Sequence, residues 1–165
     1  MADITLGGNP IQTNGNLPNI GDKAMDFVLR ANTLKEKTLK DYIGKNIILN
    51  IFPSVDTGVC AQSIRTFNEK AATLENCVVL CISKDLPFAQ NRFCGAEGIE
   101  NVEMLSDFEN GAFGKAYGVT ILDSDFKGLH SRAILVIDAN GIVIYSEQVS
   151  EIGNEPNYDA ALKVL

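Results

Sequence analysis

Apolar positions along the chain follow two rhythms, one suited to strands and one to helices. Residues 46–52 (Asn-Ile-Ile-Leu-Asn-Ile-Phe) form a β-branched run ended by Pro53, as expected of a central strand buried on both faces. From 57 to 75 the rhythm turns helical: Cys60, Ile64, Phe67, Ala71 and Leu74 are spaced by 4, 3, 4 and 3, which places them on one face. Residues 77–83 are a second buried strand, and Pro87 opens a short helix that Gly95 is expected to close. A third strand is expected at 102–105 and a helix at 111–117. Two apolar runs, 133–137 and 142–145, flank Asp138-Ala-Asn-Gly141 as a hairpin, and 156–165 ends the chain as a helix. Earlier, 27–30 reads as a short strand and 38–43 as a short helix. Residues 1–22, rich in Gly, Asn and Pro, alternate around Gly7-Gly8-Asn9-Pro10 and predict a hairpin decorating the domain. Strands alternating with helices imply an α/β fold with a mixed sheet. No repeat or long linker divides residues 1–165, so one domain is expected.

Composition narrows the setting. The chain has 165 residues, 45% of them hydrophobic and 21% charged, which is enough for a single buried core and too apolar for disorder. A formal net charge of −7 makes nucleic-acid backbones and anionic membranes poor partners. No basic residue precedes Lys23, and no apolar run approaches the roughly 18 residues of a membrane span. A soluble, cytoplasmic protein without membrane insertion is the expectation.

In such a compartment the four cysteines are too sparse for a disulfide scaffold. No Cys-x-x-Cys pair is present and His130 is the single histidine, so no metal site is expected. Cys77 and Cys81 lie four apart in a strand, with Cα atoms about 13 Å apart. They share a face, cannot pair while the strand is extended, and read as core packing. Cys60 has two readings: a packed helix residue, or a reactive thiol in a first turn capped by Asp56 or Thr57, where unpaired N–H groups and the helix dipole favour a thiolate. Asp56 opposes that thiolate, so a cation is required that the spacing does not locate. Cys94, near the end of its helix, sits at the unfavourable end of the dipole and is a poor first nucleophile. It is either structural or a second thiol.

Two segments carry a resemblance. Residues 53–60 (Pro-Ser-Val-Asp-Thr-Gly-Val-Cys) resemble the peroxiredoxin pattern Pro-x-x-x-Thr-x-x-Cys. Residues 83–94 (Ser-Lys-Asp-Leu-Pro-Phe-Ala-Gln-Asn-Arg-Phe-Cys) resemble the more restricted block of the bacterial thiol peroxidases, atypical two-cysteine peroxiredoxins. Gly8-Asn-Pro10, Lys127-Gly-Leu, Ser131-Arg-Ala133 and Glu155-Pro-Asn-Tyr158 extend the likeness nearly end to end. The resemblance implies a thioredoxin-like fold: a central mixed sheet flanked by helices, with an N-terminal β-hairpin extension. It implies a peroxidase that reduces hydrogen peroxide and organic hydroperoxides to water and alcohols. Cys60 would become a sulfenic acid and form an intrachain disulfide with Cys94; Pro53 would shield the site, while Thr57 and Arg132 would contact thiolate and peroxide. Recycling by thioredoxin and a homodimer are implied as well, and no cofactor. Cys77 and His130 fall outside the pattern, and His130 is expected in an exposed loop or as a satisfied surface histidine.

Other classes fit less well. A cysteine hydrolase needs a histidine base and a group to orient it, and only His130 is present. A thioredoxin-like binding dimer leaves Thr57, Cys60 and Arg132 without shared purpose, and a peroxiredoxin with another resolving thiol leaves Cys94 unused. The choice between hydrogen peroxide and bulky hydroperoxides depends on the shape and lining of the site's mouth, which the sequence leaves open.

Overall fold

The computed structural model describes residues 1–165. Strand β1 (Asp3–Leu6) turns at Gly7-Gly8 into antiparallel β2 (Asn9–Gln12), the hairpin expected within 1–22. Both glycines adopt positive φ, 59° and 80°, the left-handed backbone that a two-residue hairpin turn demands. Ile4 and Ile11 pair across the hairpin and pack with Ile121 and Ile152, which docks it beside the C-terminal segment.

The other strands are β3 (Val28–Ala31), β4 (Glu36–Thr38), β5 (Asn46–Ile51), β6 (Cys77–Ser83), β7 (Glu103–Ser106), β8 (Ala133–Ile137) and β9 (Val143–Gln148). They form one seven-stranded sheet in the order β4-β3-β7-β6-β5-β8-β9. Its centre is parallel (β5 with β6, β6 with β7) and its flanks are antiparallel, so the sheet is mixed as expected. Because side chains alternate across a strand, Ile47, Leu49 and Ile51 enter one core and Ile48 and Phe52 the other. The first core is closed by Phe113 and Tyr117, stacked at 4.5 Å on α3 (Ala112–Tyr117). The second is covered by α1 (Gly58–Ala71), part of α2 (Pro87–Glu97) and α4 (Tyr158–Lys163). On α1 the predicted stripe is the buried one, and Ile64 and Phe67 each contribute about 1.5–3 kcal/mol by leaving water.

Several boundaries differ from the sequence expectation. Helix α1 stops at Ala71 rather than at 75: the Thr73 hydroxyl donates to the Lys70 carbonyl, and Asn76 takes positive φ to turn the chain into β6. Helix α2 runs past Gly95 to Glu97 and is closed by Gly98 (φ 66°), whose N–H donates to the Cys94 carbonyl. Of the two glycines, Gly98 is the one in the left-handed conformation of a helix terminus. Strand β4 has only three polar or charged residues and gave no apolar signal.

His130 corrects a second expectation. It is not a surface residue but fully buried, packed against Phe113 with ring centroids 5.9 Å apart. Its Nε2 lies 3.2 Å from Oδ2 of buried Asp107. Space for the imidazole comes from Gly114, where an added Cβ would lie 2.6 Å from the ring. Cys81 is core packing as expected, and burial pushes its thiol up to about 12; half-buried Cys77 is pushed up to about 11 for the same reason.

Candidate active site

Pro53 terminates β5 and is buried; the loop after it returns the chain to α1, where Thr57 occupies the cap position and Cys60 the third residue of the helix. The Thr57 hydroxyl does not cap the helix but donates back to the Ser54 carbonyl at 3.2 Å, tightening the loop. A single carboxylate fixes that loop from below: Asp85 accepts from the Ser54 hydroxyl (2.8 Å), the Val55 N–H (2.9 Å) and the Ser83 hydroxyl (2.6 Å). The Cys60 backbone is tied to the sheet as well. Its carbonyl accepts from the Ser63 hydroxyl, to which the buried Asn50 amide donates from β5.

Cys60 is fully buried, and its sulfur receives one charged donor: Arg132 Nη2, 3.3 Å away. Arg132 is itself only 2% exposed, at the entry to β8. Its backbone carbonyl accepts from the Val149 N–H and the Gln148 side chain, and its Nε donates to the Ile152 carbonyl at 2.8 Å. The third guanidinium nitrogen, Nη1, is buried without a partner. Buried donors are nearly always satisfied, so this one marks a place for an acceptor. Arg132 also lines a cavity of about 140 Å³, together with Leu6, Thr57, Gly58, Val59, Phe126, Ile152 and Gly153. The N–H groups of α1's first turn belong to the same corner, so an anion or a polarised oxygen entering here meets donors on two sides.

The structure therefore brings Thr57, Cys60 and Arg132 into one corner. Pro53 ends the strand beneath it without lining the cavity. Cys94 does not line that cavity; it is half-buried in the last turn of α2, packed against the second core to which Cys60 belongs, and all four cysteines are free thiols. Burial, partly offset by a hydrogen bond with Asn32, pushes the Cys94 thiol up. His130 is no base for Cys60: it packs against Phe113 in the first core, whereas Cys60 belongs to the second.

The residue that sequence reasoning missed is Glu151. Its carboxylate accepts from the Thr5 hydroxyl (2.6 Å), the Gly7 and Gly8 N–H groups (3.1 and 3.0 Å) and the Gly153 N–H (3.0 Å). These donors, the Thr5 hydroxyl foremost, hold its pKa down at about 2. The folded value lies below the unfolded one of about 4.3, so the carboxylate's stabilising effect is complete above about pH 5 and is lost as pH falls toward 2. Hydrogen exchange at Gly8 and Ile152, corrected for intrinsic rates, is expected to lose protection across that window while β5 amides do not. Equal protection of these amides at pH 5 and pH 2 would contradict the assignment.

Comparison with known proteins places this geometry. Residues 19–162 match the Redoxin family model. A thiol peroxidase of Corynebacterium glutamicum is 53% identical over 165 residues, covering 100% of this chain and 99% of its own. One of Mycobacterium bovis is 56% identical at the same coverage. Among solved structures, a peroxiredoxin-like protein from Aquifex aeolicus superposes with a TM-score of 0.93 at 39% identity, covering 99% of this chain and 96% of the other. The thioredoxin-like architecture expected from the sequence is thereby borne out. With a cysteine at a helix start, an arginine on its sulfur and relatives matched from end to end, the chain belongs to the redoxin family, in its thiol peroxidase branch.

Proposed function

We propose that the protein is a thiol peroxidase that reduces hydrogen peroxide and organic hydroperoxides at Cys60. The observation that carries this reading is Arg132, a residue that lines the cavity and whose guanidinium has one nitrogen 3.3 Å from the Cys60 sulfur and another buried without an acceptor. The Cys60 thiolate attacks the terminal peroxide oxygen, a new S–O bond forms and the O–O bond breaks. The second oxygen leaves as alkoxide or hydroxide, takes a proton from solvent and departs as alcohol or water. Arg132 Nη1 and the Thr57 hydroxyl hold the peroxide oxygens during this transfer, and Pro53 backs the site. The walls supplied by Leu6, Val59, Phe126 and Ile152 accommodate an alkyl group on the substrate.

Cys94 then attacks the Cys60 sulfenic acid, water leaves, and an intrachain disulfide remains, which a dithiol reductant returns to two thiols by exchange. With Cys60 in the first turn of α1 and Cys94 in the last turn of α2, the reading has this step proceed through local unwinding of a helix end. Helix α2 is anchored at its root, where Gln90 donates to the Ser83 hydroxyl and the Leu105 carbonyl. Its far end packs Phe93 and Cys94 against the second core and is tied at the surface by Arg65 to Glu97 at 2.8 and 3.0 Å; unwinding of this last turn would free Cys94. Thioredoxin as reductant, a homodimer, a single domain over 1–165 and a cytoplasmic setting complete the reading and rest on family membership; no helix is long and apolar enough to cross a membrane.

Thiol counting after one equivalent of hydrogen peroxide tests the scheme. The reduced chain starts with four thiols and is expected to keep two. Cys94→Ser starts with three and is expected to lose one, without an intrachain disulfide. An unchanged count in wild type overturns the peroxidase reading; an intrachain disulfide at Cys60 in Cys94→Ser overturns the role of Cys94.

A further inference from the structure

Glu151 stands where the N-terminal hairpin meets the active-site arginine. Thr5 pairs with the segment after β9 through Thr5 N–H to the Ser150 carbonyl (2.7 Å) and Ile152 N–H to the Thr5 carbonyl (2.9 Å). The Glu151 side chain closes the same junction. On one side it accepts from the consecutive Gly7 and Gly8 N–H groups of the hairpin turn, both of which stand at positive φ. On the other it accepts from Gly153, bending the chain around Ile152. Ile152 is the residue whose carbonyl receives Arg132 Nε, and the same guanidinium donates to Cys60.

We infer that Glu151 is a positioning residue for the peroxide reaction: by clamping Gly7, Gly8 and Gly153 it fixes the Ile152 carbonyl that aims the Arg132 guanidinium at the Cys60 sulfur. The guanidinium is planar, so the bond at Nε sets the direction of both Nη groups. A shift of the Ile152 carbonyl thus rotates Nη2 off the sulfur and Nη1 off the peroxide. Arg132 has no carboxylate partner to hold it, which leaves this carbonyl as the side-chain anchor opposite the sulfur. The hairpin turn and the carboxylate also carry Leu6 into the cavity wall, so hairpin docking and arginine aim are set by one group. The strong depression of the Glu151 pKa is consistent with a carboxylate that is a full acceptor at every physiological pH. The inference rests on the role of Arg132 proposed above.

A double-mutant cycle separates aim from mere anchoring. The chain has no tryptophan, so rates are read by chemical quench and thiol counting of the reduced full-length protein mixed with hydrogen peroxide. Glu151→Gln is expected to lower the second-order rate constant about tenfold, and Thr5→Val, a milder change, about two- to threefold. In the Arg132→Met background neither substitution is expected to slow the reaction further, because the group being aimed is gone. A wild-type rate in Glu151→Gln overturns the inference. So does an equal proportional loss in both backgrounds, which marks a purely structural anchor. A wild-type rate in Arg132→Met alone overturns the active-site reading itself, and this inference with it.

Discussion

Arg132→Met is expected to slow peroxide reduction by about 100- to 1,000-fold, with Cys60→Ser as the inactive baseline. Ionisation of the thiol alone does not explain a loss of that size. For a generic cysteine, lowering the pKa from about 8.5 to about 6 raises the thiolate fraction at pH 7 about 30-fold. With a Brønsted slope of about 0.4–0.5 the more stable thiolate is about 10- to 18-fold less nucleophilic, for a net gain of roughly two- to threefold. The larger share must come from holding the peroxide in line and stabilising charge as it moves onto the departing oxygen. The guanidinium is built for both, with one donor on the sulfur at 3.3 Å, one on the Ile152 carbonyl and one left for the substrate. Methionine preserves much of the buried volume and removes all three donors. Peroxide kinetics set beside thiolate absorbance at pH 7 check the claim; equal losses in the two overturn it. Arg132→Lys is expected to recover only part of the rate, since one ammonium group cannot span the same three points in a fixed plane.

The parts of this site that the sequence disclosed are those with a local signature. Cys60 sits on a helical stripe just after a buried strand that ends in proline, and that arrangement alone places it in a first turn. Strands β6 and β8 match their expected limits because each is a continuous apolar run bounded by polar residues. Arg132 had no such signature. It precedes an ordinary strand, and its partner lies 72 residues away. The resemblance supplied it, and the structure explains it through the Ile152 carbonyl. Glu151 was silent for the same reason: three of its four donors lie in the hairpin, more than 140 residues away along the chain. His130 was misplaced because burial of a lone polar residue depends on what waits inside, here Asp107 and the space left by Gly114. The helix end expected at Gly95 falls three residues later, because it is Gly98 that takes the left-handed conformation and donates its N–H to the Cys94 carbonyl.

Asp107→Ala is expected to destabilise the fold by about 3–5 kcal/mol, the cost of leaving two buried N–H donors unpaired and a cavity beside the imidazole. The carboxylate is only 2% exposed and serves three groups. It accepts from the Phe113 and Gly114 N–H groups at 3.2 and 3.0 Å, which opens α3, and it lies 3.2 Å from His130 Nε2. Alanine leaves both amides without an acceptor and the imidazole without its counter-group, in a region water does not reach. Typical domains hold about 5–15 kcal/mol in total, so a loss of this size is a large fraction of the whole. At about 2–4 °C per kcal/mol for a chain of this length, the melting temperature is expected to fall by roughly 6–20 °C. Asp107→Asn retains one acceptor oxygen and should cost less. Urea unfolding followed by circular dichroism gives the comparison, and a loss below about 1 kcal/mol for Asp107→Ala refutes the account. The consequence reaches the active site through the chain itself, because His130 and Arg132 are two residues apart and Ser131 between them is held by its N–H to the Val119 carbonyl and its hydroxyl to Gln148. A fold that loses the Asp107 anchor is therefore expected to lose order at the root of the active-site arginine before it loses the central strands.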